Sequence, residues 1–243
     1  MSYGRVIAVV PAHNEEAAIG GVIAEIKAFD STFDVVVVDD GSVDATSRVA
    51  ASHGAAVITL PYNLGIGGAV QTGFMYALEN GYPTAVRLDG DGQHVAADMG
   101  KLLDVLMVGD ADIVTGSRFA GADSHRPRLA RRIGIVWFAS LVSLLTRQRV
   151  TDTTSGYQAL NRRGIELFAR DYPSDYPEVE ATVLVYKHRL RMTEVPVRMR
   201  EREHGSSSIT LVRSIYYLFK VTLALCVAMV RRYAVPDEEV KGP

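Results

Sequence analysis

The run Val35-Val36-Val37-Val38 constrains this chain more than any other stretch of its 243 residues. Four consecutive β-branched residues favour extended backbone and leave no polar face, so the strand they form must be covered on both sides. That is the habit of a mostly parallel sheet with helices packed on its two faces. The neighbouring segments agree. Residues 5–10, 33–39, 55–60, 84–88 and 112–116 read as strands, with helices over 15–29, 44–52, 67–79 and 96–108. Repeated β-α units of this kind imply right-handed crossovers and an α/β fold.

In an open parallel sheet, ligands bind beyond the carboxyl ends of the strands. The polar clusters of this half all fall there: His13-Asn14-Glu15, Asp39-Asp40-Gly41-Ser42, Asn63-Leu64-Gly65, Asp89-Gly90-Asp91-Gly92-Gln93-His94 and Ser117-Arg118. Asp89, Asp91 and Gln93 place three side-chain oxygens at alternate positions, a donor set for a hard cation such as Mg²⁺ or Mn²⁺. The glycines between them allow a bulky ligand to approach the backbone. Asp39, at a strand end, can accept hydrogen bonds from a nucleobase or ribose. Asp44 is expected to cap the following helix, and Gly65-Ile66-Gly67-Gly68 to serve structure. His94 suits either contact with a diphosphate or capping of the next helix.

Charge divides the chain. Residues 1–115 hold 15 Asp/Glu against 5 Lys/Arg, and residues 116–243 hold 13 against 21, so nets of −10 and +8 hide beneath an overall −2. Such halves meeting at a cleft suit a metal-diphosphate on one side and a second phosphate on the other. Cys226 is the only cysteine, which excludes an internal disulfide and a cysteine zinc site. No basic segment followed by an apolar one opens the chain, so no signal peptide is expected. Residues 133–145 and 218–230 are apolar runs bracketed by arginine, each shorter than the roughly 20 residues that span a bilayer. They are expected to be core helices or helices lying on a membrane surface.

Six motifs in consistent order resemble glycosyltransferase family 2. They are Pro11-Ala12-His13-Asn14-Glu15-Glu16, the valine strand ending in Asp-Asp-Gly-Ser, Asn63-Leu64-Gly65, the Asp89/Asp91/Gln93 cluster, Gly116-Ser117-Arg118-Phe119 and Asp152-Thr153-Thr154-Ser155-Gly156-Tyr157. The likeness runs from about residue 5 to 210 and is strongest to the dolichyl- or polyprenyl-phosphate sugar synthases, such as dolichyl-phosphate mannose synthase. It implies the GT-A, Rossmann-like fold over residues 1–210; by their own composition, residues 211–235 are expected to form an apolar C-terminal helix, in the core or on a membrane surface, and residues 236–243 a disordered tail.

The resemblance also implies site residues. Pro11, His13, Glu15, Val37 and Asp39 would bind base and ribose. Asp89, Gly90, Asp91 and Gln93 would hold the donor diphosphate, with Asp89, Asp91 and Gln93 on the metal. Arg118, Arg131, Arg132 and Arg202 would receive an acceptor phosphate, and Asp89, Asp91 and Arg118 would carry the chemistry. Two positions depart from the family pattern: His13 where Tyr is common, and Gly205-Ser206-Ser207-Ser208 where many relatives read Gly-x-Ser-Lys.

The reaction so implied is inverting, Mg²⁺- or Mn²⁺-dependent transfer of a hexose from GDP-mannose or a UDP-sugar to polyprenyl or dolichyl phosphate. A lipid monophosphate is ionised at neutral pH, its second pKa being near about 6, so no protein base is required. The chain is then expected in the cytoplasm, peripheral at the inner face of the membrane, with no nucleic-acid partner. Two alternatives stand beside this: the same fold using a soluble phosphoglycerate or saccharide acceptor, and a non-catalytic nucleotide-sugar-binding partner of a membrane protein.

Overall fold

In the computed structural model, the described residues are 3–120, 137–144, 150–174 and 177–200, with Lys220, Thr222 and Leu223. The valine run lies in β2 (Asp34–Asp39), where Val35 to Val38 are all buried. β2 pairs in parallel with β1 (Val6–Ala12) and β3 (Ala56–Thr59), and β1 pairs in parallel with β4 (Thr84–Arg87). Beyond β4 the sheet continues through β6 (Gln158–Asn161), β5 (Ile113–Ser117) and β7 (Met192–Pro196), giving the order β3-β2-β1-β4-β6-β5-β7. β6 runs antiparallel to both of its neighbours, and β5 and β7 are parallel. The sheet is therefore mostly parallel, with one reversed strand.

Strand alternation sends successive residues to two cores. Val6, Ala8, Val10, Val35 and Val37 join one cluster with α1 (Ile19–Phe29), α2 (Thr46–Ser52) and α4 (Met99–Val108). Ile7, Val9 and Val36 join the other, with α3 (Gly65–Glu79), α5 (Arg162–Arg170) and α6 (Pro177–Lys187). Each face thus buries aliphatic side chains at about 25 cal/mol per Å² of apolar area removed from water. α5 starts at a side-chain cap, with the Asn161 carboxamide oxygen accepting from the Gly164 N–H at 3.1 Å.

Helix starts differ from the sequence reading for a local reason. α1 begins at Ile19, because residues 15–18 form a turn closed on the Glu15 carbonyl by the Ala18 and Ile19 N–H groups (3.0 and 2.9 Å), with the Glu15 N–H held on Thr46 Oγ1 at 2.8 Å and the Glu16 N–H on Asp44 Oδ2 at 3.2 Å. Asp44 also accepts from the Thr46 N–H at 2.9 Å, but it stands one residue before the N-cap, which is Ala45 and makes no side-chain cap, so its role is to tie the first loop to the start of α2. Asn14 completes the seam, with its N–H on Ser42 Oγ and its Oδ1 accepting from the Val43 N–H, both at 2.9 Å. The loops after β1 and β2 are one stitched wall at the carboxyl edge of the sheet. Gly41 makes that wall possible: its φ is +67°, and a Cβ there would stand 2.7 Å from the Tyr62 carbonyl carbon.

Residues 137–144 are helical. Phe138, Ala139 and Val142 face inward, while Trp137 and Leu144, one heptad apart, are exposed. Part of the first apolar run is therefore both core and surface. The second run and tail expected over 211–235 and 236–243 lie outside the described residues, except Lys220, Thr222 and Leu223.

Candidate functional site

The first loop, the β2 loop, the start of α3 and the β4 loop enclose a cleft of about 300 Å³. Its lining includes Pro11, His13, Glu15, Asp89, Gly90 and Asp91 from the residues expected, and Asp40, Asn63 and Ile66 from those not expected. Gly90 is drawn against the first loop, its N–H donating to the Pro11 carbonyl at 3.1 Å. His13 is exposed, and its Nδ1 donates to the Asp40 carbonyl at 2.8 Å, leaving the ring at the wall of the cleft.

Asp40, not Asp39, lines the cleft. Asp39 is still in the β2 ladder, paired with Ala12, and shares the inward face of Val35 and Val37. Its Oδ1 accepts from the Ser42 N–H at 3.0 Å and its Oδ2 from the Ser47 hydroxyl, so the following loop and the first turn of α2 engage both oxygens. Val37 is fully buried and presents no surface to a ligand. Asp40 is the first residue past the ladder, and its Oδ1 accepts from the Leu64 N–H at 2.7 Å. The end of the valine run was the available signal for this choice, since the ladder extends one residue beyond it.

Asp89 and Asp91 stand side by side in the β4 loop and differ in setting. The Asp89 side chain is 34% exposed, with Oδ1 3.4 Å from Arg87 Nη2 and Oδ2 3.8 Å from His94 Nε2. Burial works to raise its carboxyl pKa, but the charge and hydrogen bond of the Arg87 guanidinium, with the charge of Arg118, outweigh that and hold it below the usual carboxylate range. Asp91 Oδ1 accepts from the Gln93 N–H at 3.0 Å, which closes the turn. Gln93 itself is not in the cleft lining; its side-chain amide donates to the Arg200 carbonyl at 3.5 Å.

His94 does not cap the next helix, whose N-cap is Val95 without a side-chain bond. It is buried, its Nδ1 accepts from the Asp89 N–H at 3.1 Å, and its ring stacks on Tyr157 at 4.7 Å. Burial lowers its pKa and favours the neutral ring, which is the form that can accept at Nδ1. The imidazole braces the Asp89 turn from beneath.

Arg118 follows β5 and is clamped by Asp152: Nε to Oδ2 and Nη2 to Oδ1, both at 2.8 Å, with Nη2 also donating to Thr154 Oγ1. Asp152 is buried, and Glu194 on β7 accepts from the N–H groups of Thr151 (2.9 Å) and Asp152 (3.0 Å), fixing that loop. Arg131, Arg132 and Arg202 lie outside the described residues.

The two loop carboxylates fit a divalent cation. Among the described residues no group of three or more His, Cys, Asp or Glu is gathered for a metal. A pair of carboxylates opening on a cleft matches a hard ion that takes its other oxygens from substrate phosphates and water, not from a protein cage.

The model of the family described as Glycosyl transferase family 2 matches residues 7–167. The chain belongs to that family. This family 2 glycosyltransferase is 33% identical over 223 residues to an uncharacterized protein of Methanocaldococcus jannaschii, covering 90% of this chain and 91% of that one. It is 31% identical over 215 residues to undecaprenyl-phosphate mannosyltransferase of Micrococcus luteus, covering 85% and 88%. In fold it is similar to glucosyl-3-phosphoglycerate synthase of Mycobacterium tuberculosis, solved with Mn²⁺, uridine diphosphate and phosphoglyceric acid. That match has a TM-score of 0.69 at 19% identity and covers 96% of this chain and 80% of that one. The glycosyltransferase thus has the GT-A fold expected from its motifs.

Proposed function

We propose that this glycosyltransferase moves a hexose from GDP-mannose or a UDP-sugar to a polyprenyl phosphate, with inversion at the anomeric carbon. The observation that carries the acceptor is the 31% identity, through 85% of the chain, to an undecaprenyl-phosphate mannosyltransferase. Arg118 supports it from the site: a guanidinium held at the carboxyl edge and near enough to Asp89 to help keep that carboxylate ionised. Its fork suits phosphate oxygens, and its charge persists at any working pH.

The stitched wall of His13, Glu15 and Asp40 would receive the nucleoside, with Asp39 and Val37 supporting it from below. Asp91, backed by Asp89, would hold Mg²⁺ or Mn²⁺ with the donor diphosphate; Gln93 would complete the set only on leaving its contact with Arg200. A cation bound there supplies Lewis-acid stabilisation of the departing diphosphate. Arg118, with Arg131, Arg132 and Arg202 as further arginines of the basic half, would orient the acceptor phosphate. An acceptor phosphate oxygen forms the new bond to the anomeric carbon as the bond to the donor's β-phosphate oxygen breaks. No proton need be removed, because the acceptor is already ionised.

No helix among the described residues is long and apolar enough to cross a membrane. The exposed Trp137 and Leu144 support a peripheral seat at the cytoplasmic membrane face, where an aromatic and an aliphatic side chain can enter the headgroup boundary. Residues 1–210 would form the catalytic unit and 211–235 a further apolar segment for that surface.

The fold likeness to a synthase solved with phosphoglyceric acid favours a second reading, a soluble phosphate acceptor. Purified protein given Mn²⁺, GDP-mannose or a UDP-hexose, and either undecaprenyl phosphate or 3-phosphoglycerate separates the two. Product in the organic phase alone supports the lipid acceptor; product only with phosphoglycerate rejects it.

A further inference from the structure

Two residues before Asp89, the last residue of β4 is an arginine with no exposure at all. Putting a guanidinium inside a sheet-helix core carries a desolvation cost that ion pairing often fails to repay in stability. Arg87 nevertheless reaches three partners with its two terminal nitrogens. Nη1 donates to the Tyr172 hydroxyl at 2.8 Å; Nη2 donates to Glu178 Oε1 at 3.0 Å and to Asp89 Oδ1 at 3.4 Å. Its Nε has no acceptor among the described residues, so the tip alone is held. Gly156 is part of the same arrangement: a Cβ there would stand 2.7 Å from Nη2 and 3.0 Å from Asp89 Oδ1.

Four segments therefore converge on one guanidinium: the end of β4, the loop before β6, Tyr172 after α5, and the first turn of α6 with Glu178. Of these three partners among the described residues, Asp89 is the one in the cleft lining.

We propose that Arg87 is a positioning residue for the donor carboxylates, fixing the direction of Asp89 from within the core while Glu178 and Tyr172 fix the guanidinium. The inference rests on the reading of Asp89 and Asp91 as the metal-diphosphate pair. Outer groups that orient a metal-binding carboxylate commonly matter about 10- to 100-fold for metal affinity. Here two effects oppose each other. Removing a nearby cation strengthens attraction for Mn²⁺, whereas releasing Asp89 to rotate weakens the site. Because Nη2 is shared between Asp89 and Glu178, its loss also leaves two carboxylates facing each other without a bridge, which drives Asp89 from its place.

The test measures Mn²⁺ binding in the presence of GDP or UDP, by calorimetry or by the Mn²⁺ electron paramagnetic resonance signal, for the native chain, Arg87→Met, Arg87→Lys and Glu178→Gln. Circular dichroism checks that each is folded. Arg87→Met is expected to bind Mn²⁺ about 10- to 100-fold more weakly. Arg87→Lys keeps the charge without the fork and is expected to recover little of the loss; native affinity in Arg87→Lys would overturn positioning by the fork. A folded Arg87→Met that binds Mn²⁺ as tightly as the native chain, or more tightly, overturns the proposal. Should Arg87→Met not fold, Glu178→Gln decides: weaker binding supports the proposal and unchanged binding overturns it. Absence of Mn²⁺ binding by the native chain overturns the metal-diphosphate reading and this inference with it, an outcome distinct from equal binding by native and variant chains.

Discussion

Arg118 and Asp152 form a two-toothed ion pair, Nε–Oδ2 and Nη2–Oδ1 each 2.8 Å, in which the carboxylate side chain is 0% exposed and the arginine 13%. Among the described residues no acceptor stands at Nη1, so the pair aims the guanidinium while leaving it one edge for a ligand. The arginine after β5 is thus set by a loop 34 residues away.

Arg118→Ala is expected to raise the acceptor KM by about tenfold or more, the cost of one charge-assisted contact, while Mn²⁺-nucleotide affinity changes little. It also strands a buried carboxylate and should lower stability by about 3 kcal/mol. The double variant Arg118→Ala, Asp152→Ala separates these effects: chemical denaturation should show stability largely recovered, and kinetics should show acceptor use still lost. Equal loss of donor and acceptor affinity would count against the assigned side of the cleft.

The same pair dictates an acid limit. Burial pushes the Asp152 carboxyl upward, but hydrogen bonds and charge from Arg118 outweigh this, so its folded pKa lies below the ordinary 3.8. Between those two values the unfolded chain binds more protons than the folded one, and stability rises with pH. The contribution is complete above about pH 5 and is lost as pH falls through 3.8 toward the folded value. Asp98 and Asp112 shift in the same direction. Melting temperature should therefore be flat from neutrality down to about pH 5 and then fall, less steeply in Asp152→Asn. In that neutral range a loss of kcat/KM on acidification should track protonation of the acceptor phosphate near about pH 6, not a protein base.

Divalent metal should be required. EDTA is expected to abolish turnover, Mn²⁺ or Mg²⁺ to restore it, and Asp91→Asn to lower kcat/KM by about 100-fold or more, the scale of lost Lewis-acid assistance of several kcal/mol. Full activity in EDTA would remove Asp91 from the role given to it.

Gly156→Ala places a methyl group 2.7 Å from Arg87 Nη2. The crowded guanidinium cannot retreat into the core, so a stability loss of about 1–3 kcal/mol is expected from overpacking. Melting curves read that loss, and kcat should fall with it because the methyl also presses on Asp89.

Half of the architecture was legible in advance for a simple reason. The β3-β2-β1-β4 portion is built from parallel strands joined by helices, and unbroken runs such as Val35–Val38 declare strands buried on both faces. β6 does not declare itself: Gln158-Ala159-Leu160-Asn161 is short and polar at both ends, and it is strand only because β4 and β5 flank it. The site divides similarly. Asp89 and Asp91 stand out by local pattern at a strand end. Asp40 was hidden by its neighbour, since one residue of ladder decides which carboxylate faces the cleft. The Arg87–Glu178 contact joins residues 91 apart and no local signal carries it.

The most direct test follows the acceptor phosphorus. With Mn²⁺, nucleotide sugar and a short polyprenyl phosphate, ³¹P NMR should show the monoester resonance give way to a phosphodiester. Proton coupling should show a β-linked hexose formed from an α-linked donor. A monoester resonance that persists while donor is consumed, or an α-linked product, would contradict inverting transfer to a lipid phosphate.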